Sequence, residues 1–557
     1  MALDIVIMAS CLLVFATTAL LWSFIGHHDD KYILLDNVPG PRSHSFWTGN
    51  LGQFLSRHGL DFHREISQDY GPIVKVHGPF GRRLLYVYDP DALYAMLVKD
   101  EANFEEGAVY FCSSLISKSG NRLIFGPVTN ILSSSGEQHR RQRKLLGPAF
   151  SMNRIRELYP IFCNTINRAR RTLVSEVASG QHELDMFHWM NRITLEIVGQ
   201  AALGYSFDPL EVNEADDEYG KAFKHLIPLM QEFFILRPLL PYITALGPAW
   251  FRRKLVEMIP IPTVQRLKDV TDVLERKSIE IYQSKLHALA QGDDAMLQQI
   301  GEGKDIISVL IRENLRADAS DRISEDEVYA QMSMVMVAGA DTSAVTVTHL
   351  LQLLSEHKGI QQDLRQELLT AMEETEFSYD DLSKLPLLDA VIKETLRLHP
   401  PITLLTREVL ADTVLPLSTP IHGIDGRTMS SIPVPEGTEI IVGILGFNTD
   451  KTRWGEDAHE WKPERWLSPL PREVIDAQNP CVYATIMSFL GGKRSCSGLK
   501  FAELSMKVTL SMLLSTFIFE PTGKPITWNI ALANYPTTGP ESDHAELPLK
   551  MGLVGPL

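Results

Sequence analysis

The sequence predicts a mostly helical protein with a small β region, set behind an N-terminal transmembrane helix. Three observations carry that expectation. An uncharged run of 22 residues extends from Ile5 to Gly26. Capped, periodic apolar patterns dominate the chain after Tyr88. Strand-like runs are confined to short stretches, chiefly Ile73 to Tyr88 and Glu439 to Ile444. At 557 residues the chain exceeds an ordinary single domain, yet no linker divides it. The expected organisation is an anchor over residues 1–30 and one large domain over residues 31–557. Apolar residues make up 45% of the chain, enough for an extended core, and the charged share of 22% is ordinary for a globular protein.

The net charge of −16 opposes nucleic-acid binding, because neutralising phosphates takes a concentrated basic face. Any basic docking patch must be local. The five cysteines, Cys11, Cys112, Cys163, Cys481 and Cys496, are odd in number and form no CxxC pair, which predicts reduced thiols in a cytosolic setting. No Asn-x-Ser/Thr sequon occurs, in keeping with a chain that faces away from a glycosylating lumen.

Taken in order, the elements begin with the uncharged run, which is long enough to cross a hydrocarbon core at about 1.5 Å per helical residue. A cleaved secretory signal is the rival, but that needs a basic leader and a shorter core, whereas Asp4 leads here. Lys31 and Arg42 follow the run, so the positive-inside rule places the bulk of the protein in the cytoplasm. Pro39-Gly40-Pro41 is a stiff break after the anchor. Two β-rich runs flank Gly78-Pro79-Phe80-Gly81 and read as a hairpin. Ser324 with Glu327 forms a capping box that opens an unusually long helix, apolar to about Leu354. A further helix starts near Pro386 and ends by His399, because Pro400-Pro401 cannot continue it. A Trp-rich loop runs through Trp454, Trp461 and Trp466, and a last helix is expected from about Gly498 to Phe519.

The most informative stretch is Phe489-Leu490-Gly491-Gly492-Lys493-Arg494-Ser495-Cys496-Ser497-Gly498. A thiolate that ligates a metal beneath a flat macrocycle must stand at a loop end, and Gly491 and Gly492 let the backbone turn without a Cβ. Cys496 precedes the last helix, whose N-terminal amides lower a thiol pKa and can hydrogen-bond the sulfur. Gly498 permits close approach of the backbone, Arg494 can reach a carboxylate with its forked donors, and Phe489 can pack beneath the sulfur. An isolated cysteine in such a place would be an ordinary buried thiol. The whole pattern, Phe-x-x-Gly-x-x-x-Cys-x-Gly with Arg two before the Cys, resembles the haem-binding signature of the cytochrome P450 family.

That resemblance extends over about residues 36 to 545 and gives meaning to motifs that would otherwise be bland. Glu394 and Arg397 share one helix face, and Pro463-Glu464-Arg465-Trp466 resembles the family segment whose Arg completes a buried Glu-Arg-Arg network. The resemblance therefore gives Glu394, Arg397 and Arg465 a structural role. Ala338-Gly339-Ala340-Asp341-Thr342 places a glycine inside the long helix, at a cost of about 1 kcal/mol relative to alanine. Thr342 can compete for the Ala338 carbonyl; helix packing through small residues is the plainer account. In the family this is the oxygen-binding groove, in which Thr342 would hydrogen-bond dioxygen and Asp341 would connect it to a proton supply. His139 and Arg143 keep the spacing of a family pair that holds the haem propionates, with His139 where Trp is usual. Arg407 is a further propionate candidate by resemblance.

The resemblance implies the cytochrome P450 fold, haem b with Cys496 as iron ligand, and monooxygenation by O2 of an apolar small molecule such as a terpenoid, fatty acid or sterol. A thiolate ligand favours O–O cleavage. Some sixty residues after Cys496 leave no room for a flavin or nicotinamide domain, so electrons are expected from a separate membrane-bound NADPH-cytochrome reductase. Its docking face is expected at Arg140, Arg141, Lys144 and Lys493. The apolar, proline-broken segment from His225 to Pro262 reads as a substrate-access lid against the endoplasmic reticulum membrane. Two rivals stay open: a thiolate-haem isomerase of hydroperoxides and a non-catalytic haem sensor.

Overall fold

Two apolar clusters organise the protein, one assembled by helices and one by a sheet. The computed structural model describes residues 30–106, 130–212, 217–232, 249–292, 302–374, 378–475 and 478–555. The expected membrane span, Cys11, Cys112 and the centre of the expected lid, residues 233–248, lie outside the described residues.

The sheet cluster begins with β1 (Ile73–His77) and β2 (Arg83–Val87), the expected hairpin, closed by a turn in which Phe80 takes a left-handed φ of 58°. These join β3 (Phe104–Glu106), β5 (Leu404–Val409) and β8 (Glu439–Gly443) in the order β1-β2-β8-β5-β3. The β2–β8 pair is parallel and the others are antiparallel. Register sets Glu106 directly across from Arg407.

The helices are α1 (Gly136–Leu146), α2 (Met152–Ala178), α3 (Met186–Val198), α4 (Glu218–Glu232), α5 (Ala249–Met258), α6 (Pro262–Gln291), α7 (Ile306–Arg316), α8 (Glu325–Glu356), α9 (Lys358–Glu374), α10 (Pro386–Leu398) and α11 (Leu499–Leu514), and all of these but α5 contribute side chains to the helical cluster. Helix α8 is the long one. Its capping box is present: the Glu327 N–H donates to Ser324 Oγ at 3.2 Å, and the Ser324 N–H donates to Glu327 Oε2 at 2.9 Å. The other Glu327 oxygen accepts from Gln138 and Gln142 of α1, both at 2.9 Å, which ties the start of α8 to α1. Helix α8 packs along α3. A Cβ on Gly339 would stand 3.1 Å from Val198 of α3, so the structure gives this glycine the plainer, helix-packing role. Helix α10 begins with Pro386 and ends before His399, as its prolines dictate.

Three smaller sheets complete the described β structure near the end of the chain, with one further ribbon before β8. Strands β6 (Thr413–His422) and β7 (Thr428–Val434) pair with each other, as do β9 (Cys481–Tyr483) and β10 (Ile486–Gly491). Strand β11 (Phe517–Pro521) joins β14 (Pro548–Leu553) and β4 (Glu183–Asp185), and β12 (Ile526–Asn529) pairs β13 (Tyr535–Thr538). The last helix therefore stops at Leu514, short of the expected Phe519. The sequence there changes to aromatic and β-branched residues, and Phe519 finds its partner, Met551, far along the chain. The Trp-rich loop also holds short helical turns at Lys451–Trp454 and Pro463–Leu467.

Among the described residues one helix, α8, is long and apolar enough to cross a membrane, but it is packed within the core.

Candidate functional site

The cysteine loop follows β10 and is held by its own backbone. Leu490 and Gly492 adopt left-handed φ angles of 58° and 65°, and a Cβ at Gly492 would fall 1.7 Å from the Leu97 carbonyl oxygen, so only glycine fits there. The Cys496 N–H donates to the Phe489 carbonyl at 2.9 Å, which closes the loop. Gly498 then caps α11, and a Cβ at that position would stand 3.9 Å from Cys496 Sγ.

Cys496 is the exposed member of the described free cysteines, beside the half-buried Cys163 and Cys481. Even so it lies deep in the protein, and burial pushes its thiol up, against the lowering effects of the Gly498 N–H and the Arg143 guanidinium. The helix-start effect expected from the sequence is thus present but outweighed by desolvation.

Cations gather on one side of this loop. Arg143 of α1 donates to the carbonyl and hydroxyl of Ser495 at 2.8 and 3.1 Å. Arg494 donates to the Ser134 carbonyl at 2.7 Å and lies 3.9 Å from Glu106. Arg407, placed across the strand pair from Glu106, lies 3.8 Å from the same carboxylate and is 1% exposed. Its Nη2 has no hydrogen-bond partner, nor has Glu106 Oε2. Burial pushes the Glu106 carboxyl up, although Arg407 and Arg494 oppose it. His139, buried on α1, has its ring pushed down to about 4, first by burial and then by Arg494, Arg143 and Lys493, so it is neutral at pH 7. The buried Arg407 and the partly buried Arg494 share Glu106, Arg143 bonds to neutral Ser495 oxygens, and an Arg407 N–H has no partner, so this side of the loop offers more cationic donors than close acceptors. Such a site fits the two carboxylates of a haem, and the exposed Cys496 sulfur beside it fits a ligand to the iron.

Asp341 and Thr342 stand on α8, apart from that cationic cluster. The Thr342 hydroxyl donates to the Ala338 carbonyl at 2.7 Å, as its position suggests, and α8 stays continuous through the contact. Burial raises the Asp341 carboxyl to about 6. An acid of that strength exchanges protons close to neutral pH.

The charged network behind the loop is closely paired. Arg397 donates to both Glu394 oxygens at 2.9 and 2.8 Å, with both side chains 0% exposed. Arg465 reaches Glu394 at 3.4 Å and Asp457 at 3.1 Å, and the Trp466 indole donates to Glu394 at 2.9 Å. Trp466, Asp457, Glu106 and Ser495 join these networks in the fold without a sequence expectation as site residues. Trp466 and Ser495 sit inside recognised motifs; for Glu106 only strand pairing reveals the role.

The expected basic docking cluster is less bare than the sequence suggests. Arg140 pairs with Glu137 and stands 3.8 Å from Asp321, Lys144 lies 2.6 Å from Asp321, and Lys493 lies 3.1 Å from Glu101. Arg141 donates to the Ser320 carbonyl.

The family model for cytochrome P450 matches residues 38–533. Cytochrome P450 monooxygenase 81 of Postia placenta is 49% identical over 519 residues, covering 93% of each chain. Cytochrome P450 monooxygenase 219 of the same fungus is 47% identical over 97% of each chain. A ganoderic acid synthetase of Ganoderma lucidum is 41% identical over 93% of this chain and 94% of its own. The match over most of the length, with the signature loop in place, shows that the chain belongs to the cytochrome P450 family, as an oxidoreductase of the monooxygenase type that uses haem iron and dioxygen.

Proposed function

We propose that this chain is a haem-thiolate monooxygenase with Cys496 as the iron ligand, a catalytic domain over residues 31–557 and a membrane anchor over residues 1–30. The observation that carries the site assignment is the glycine-dependent loop that presents Cys496 beside a cluster of arginines with more donors than close acceptors. Arg143, Arg494 and Arg407 would bind the haem carboxylates, and neutral His139 would add a hydrogen bond to one of them. The bound haem would supply activation of dioxygen, chemistry that no side chain offers.

The remaining roles belong to the protein. Phe489 and Gly498 hold the sulfur in place through the loop-closing hydrogen bond and the helix cap. Gly492 lets the loop pass Leu97. Asp341, with its carboxyl near 6, holds a proton that it can release, and the Thr342 hydroxyl is the neighbouring group through which that proton is positioned. Glu394, Arg397 and Arg465 keep the frame behind the loop rigid.

The electron donor in this reading is a separate NADPH-cytochrome reductase, and the location is the endoplasmic reticulum membrane with the catalytic domain in the cytoplasm. The substrate is an apolar small molecule. The relative named a ganoderic acid synthetase supports small-molecule synthesis as the setting, and a terpenoid is the class we favour. The test is spectroscopic: the reduced protein with carbon monoxide should show the red-shifted band of a thiolate-ligated haem, and Cys496→Ser should abolish it. Retention of the band in the variant would remove Cys496 as ligand. NADPH consumption coupled to product, in the presence of reductase and dioxygen, separates an oxygenase from an isomerase or a sensor.

A further inference from the structure

The stretch that leads into α1, residues 130–135, belongs to no recognised motif, yet buried amides from two helices hold it. It first turns on itself: the Asn130 side-chain oxygen accepts the N–H groups of Leu132 and Ser133 at 3.0 and 3.1 Å. From α8, the Gln331 side-chain oxygen accepts the Ile131 N–H at 3.2 Å. From α1, the Gln142 side-chain oxygen accepts the Ser134 hydroxyl at 2.9 Å, while its amide nitrogen donates to Glu327. Both glutamines are 0% exposed. The Gln331 amide nitrogen finds no partner among the described residues, so this buried side chain keeps an uncompensated donor while its oxygen holds Ile131.

What the held stretch offers is a pair of carbonyls. Arg494 of the cysteine loop donates through Nη2 to the Ser134 carbonyl at 2.7 Å and through Nη1 to the Ile131 carbonyl at 3.4 Å. Glu106, its carboxylate neighbour, is farther, at 3.9 Å. These acceptors differ in effect. A carboxylate at hydrogen-bond distance would cancel the guanidinium charge, whereas neutral carbonyls fix its direction and leave the charge to act on a further anion. The two residues that present these carbonyls are the two that the glutamines hold: Gln331 takes the N–H of Ile131, and Gln142 takes the hydroxyl of Ser134.

We infer that Gln142 and Gln331 are positioning residues for Arg494: by fixing Ser134 and Ile131 they keep its guanidinium oriented and unneutralised for a haem carboxylate. The inference rests on the carboxylate-binding role proposed for Arg494. The competing account is that the two glutamines only join α1, α8 and the stretch between them. On that account their loss lowers global stability and owes nothing to Arg494; a positioning role acts through Arg494 and vanishes without it.

The test is a double-mutant cycle on the full-length, haem-loaded protein, read by the rate of haem release to excess apomyoglobin and by the ferric–ferrous reduction potential. Ser134→Ala removes only the hydroxyl held by Gln142, so it should fold normally; Gln142→Met and Gln331→Met keep the side-chain length and remove the amide. Each should release haem about fivefold faster than the parent, the worth of one hydrogen bond. Each should also lower the potential, because a misdirected guanidinium leaves more uncompensated carboxylate charge, which favours ferric iron. In an Arg494→Met background the same changes should have no further effect on either reading. Equal effects with and without Arg494, or single variants that match the parent in both readings, overturn the positioning role. If Arg494→Met itself alters neither reading, the carboxylate-binding role of Arg494 is wrong and the positioning role falls with it.

Discussion

At the scale of single residues, the cysteine loop was legible because its residue types are dictated by position. The Gly492 contact with Leu97 leaves no room for a side chain, and so the sequence has no freedom to disguise the motif. Arg407 and Glu106 were a different matter, since their meeting is a matter of strand register between segments some three hundred residues apart. Thr342 yields the most discriminating prediction. In Thr342→Ala, haem and substrate binding should persist while NADPH is consumed, hydrogen peroxide is released and product falls. Stoichiometry of the three species checks this, and unchanged coupling would remove Thr342 from proton delivery. Asp341 adds a pH signature. Its carboxyl is raised in the folded state from 3.8 to about 6, so its contribution to stability is fully present below pH about 4 and is lost as pH rises through about 6. Asp341→Asn should therefore unfold later than the parent at pH 7, by on the order of 2 kcal/mol. The difference should shrink toward pH 4, and product formation should fall throughout. Denaturant melts at the two pH values test the sign.

At the scale of elements, helix limits written in caps and prolines were readable: α8 opens on its capping box and α10 is bounded by Pro386 and Pro400. The end of α11 was not, because an apolar run carries no mark where helix gives way to strand until the partner β14 is known. Gly339 shows a similar limit, since nothing in its own helix tells of Val198 on α3. The Glu394 network binds α10 to the Trp-rich turns through Arg397, Arg465 and Trp466. Glu394→Gln should leave two guanidinium groups under-neutralised in a dry setting, with a loss of about 3–5 kcal/mol. Equilibrium unfolding in urea measures it; a loss under 1 kcal/mol would mean that the backbone carbonyls around Arg397 already suffice.

At the scale of the whole molecule, family membership followed from one ten-residue motif, whereas composition alone would have suited many helical enzymes. The anchor was readable only as length and lack of charge, so its test must be physical. Deletion of residues 1–30 should release the protein from microsomal membranes while leaving the carbon monoxide band intact; equal sedimentation of the two forms would assign membrane attachment to another part of the chain. The acid-matched state of Arg140, Lys144 and Lys493 bears on the proposed reductase as well. A partner presenting carboxylates there must compete with Glu137, Asp321 and Glu101, so association should depend on salt less steeply than four bare cations would require.

The carboxylate of Glu327 has a wider reach than a helix cap needs. Its oxygens hold the start of α8 and also take Gln138 and Gln142 from α1, the helix that carries His139 and Arg143, while α8 carries Asp341 and Thr342. The two helices thus share one bolt, and the residues proposed for the haem carboxylates and those proposed for the proton inherit a common mechanical reference. Substitutions that shift either helix should show epistasis across this joint: a change at Gln138 or Gln142, remote from Thr342, would alter the tolerance of α8 to mutation.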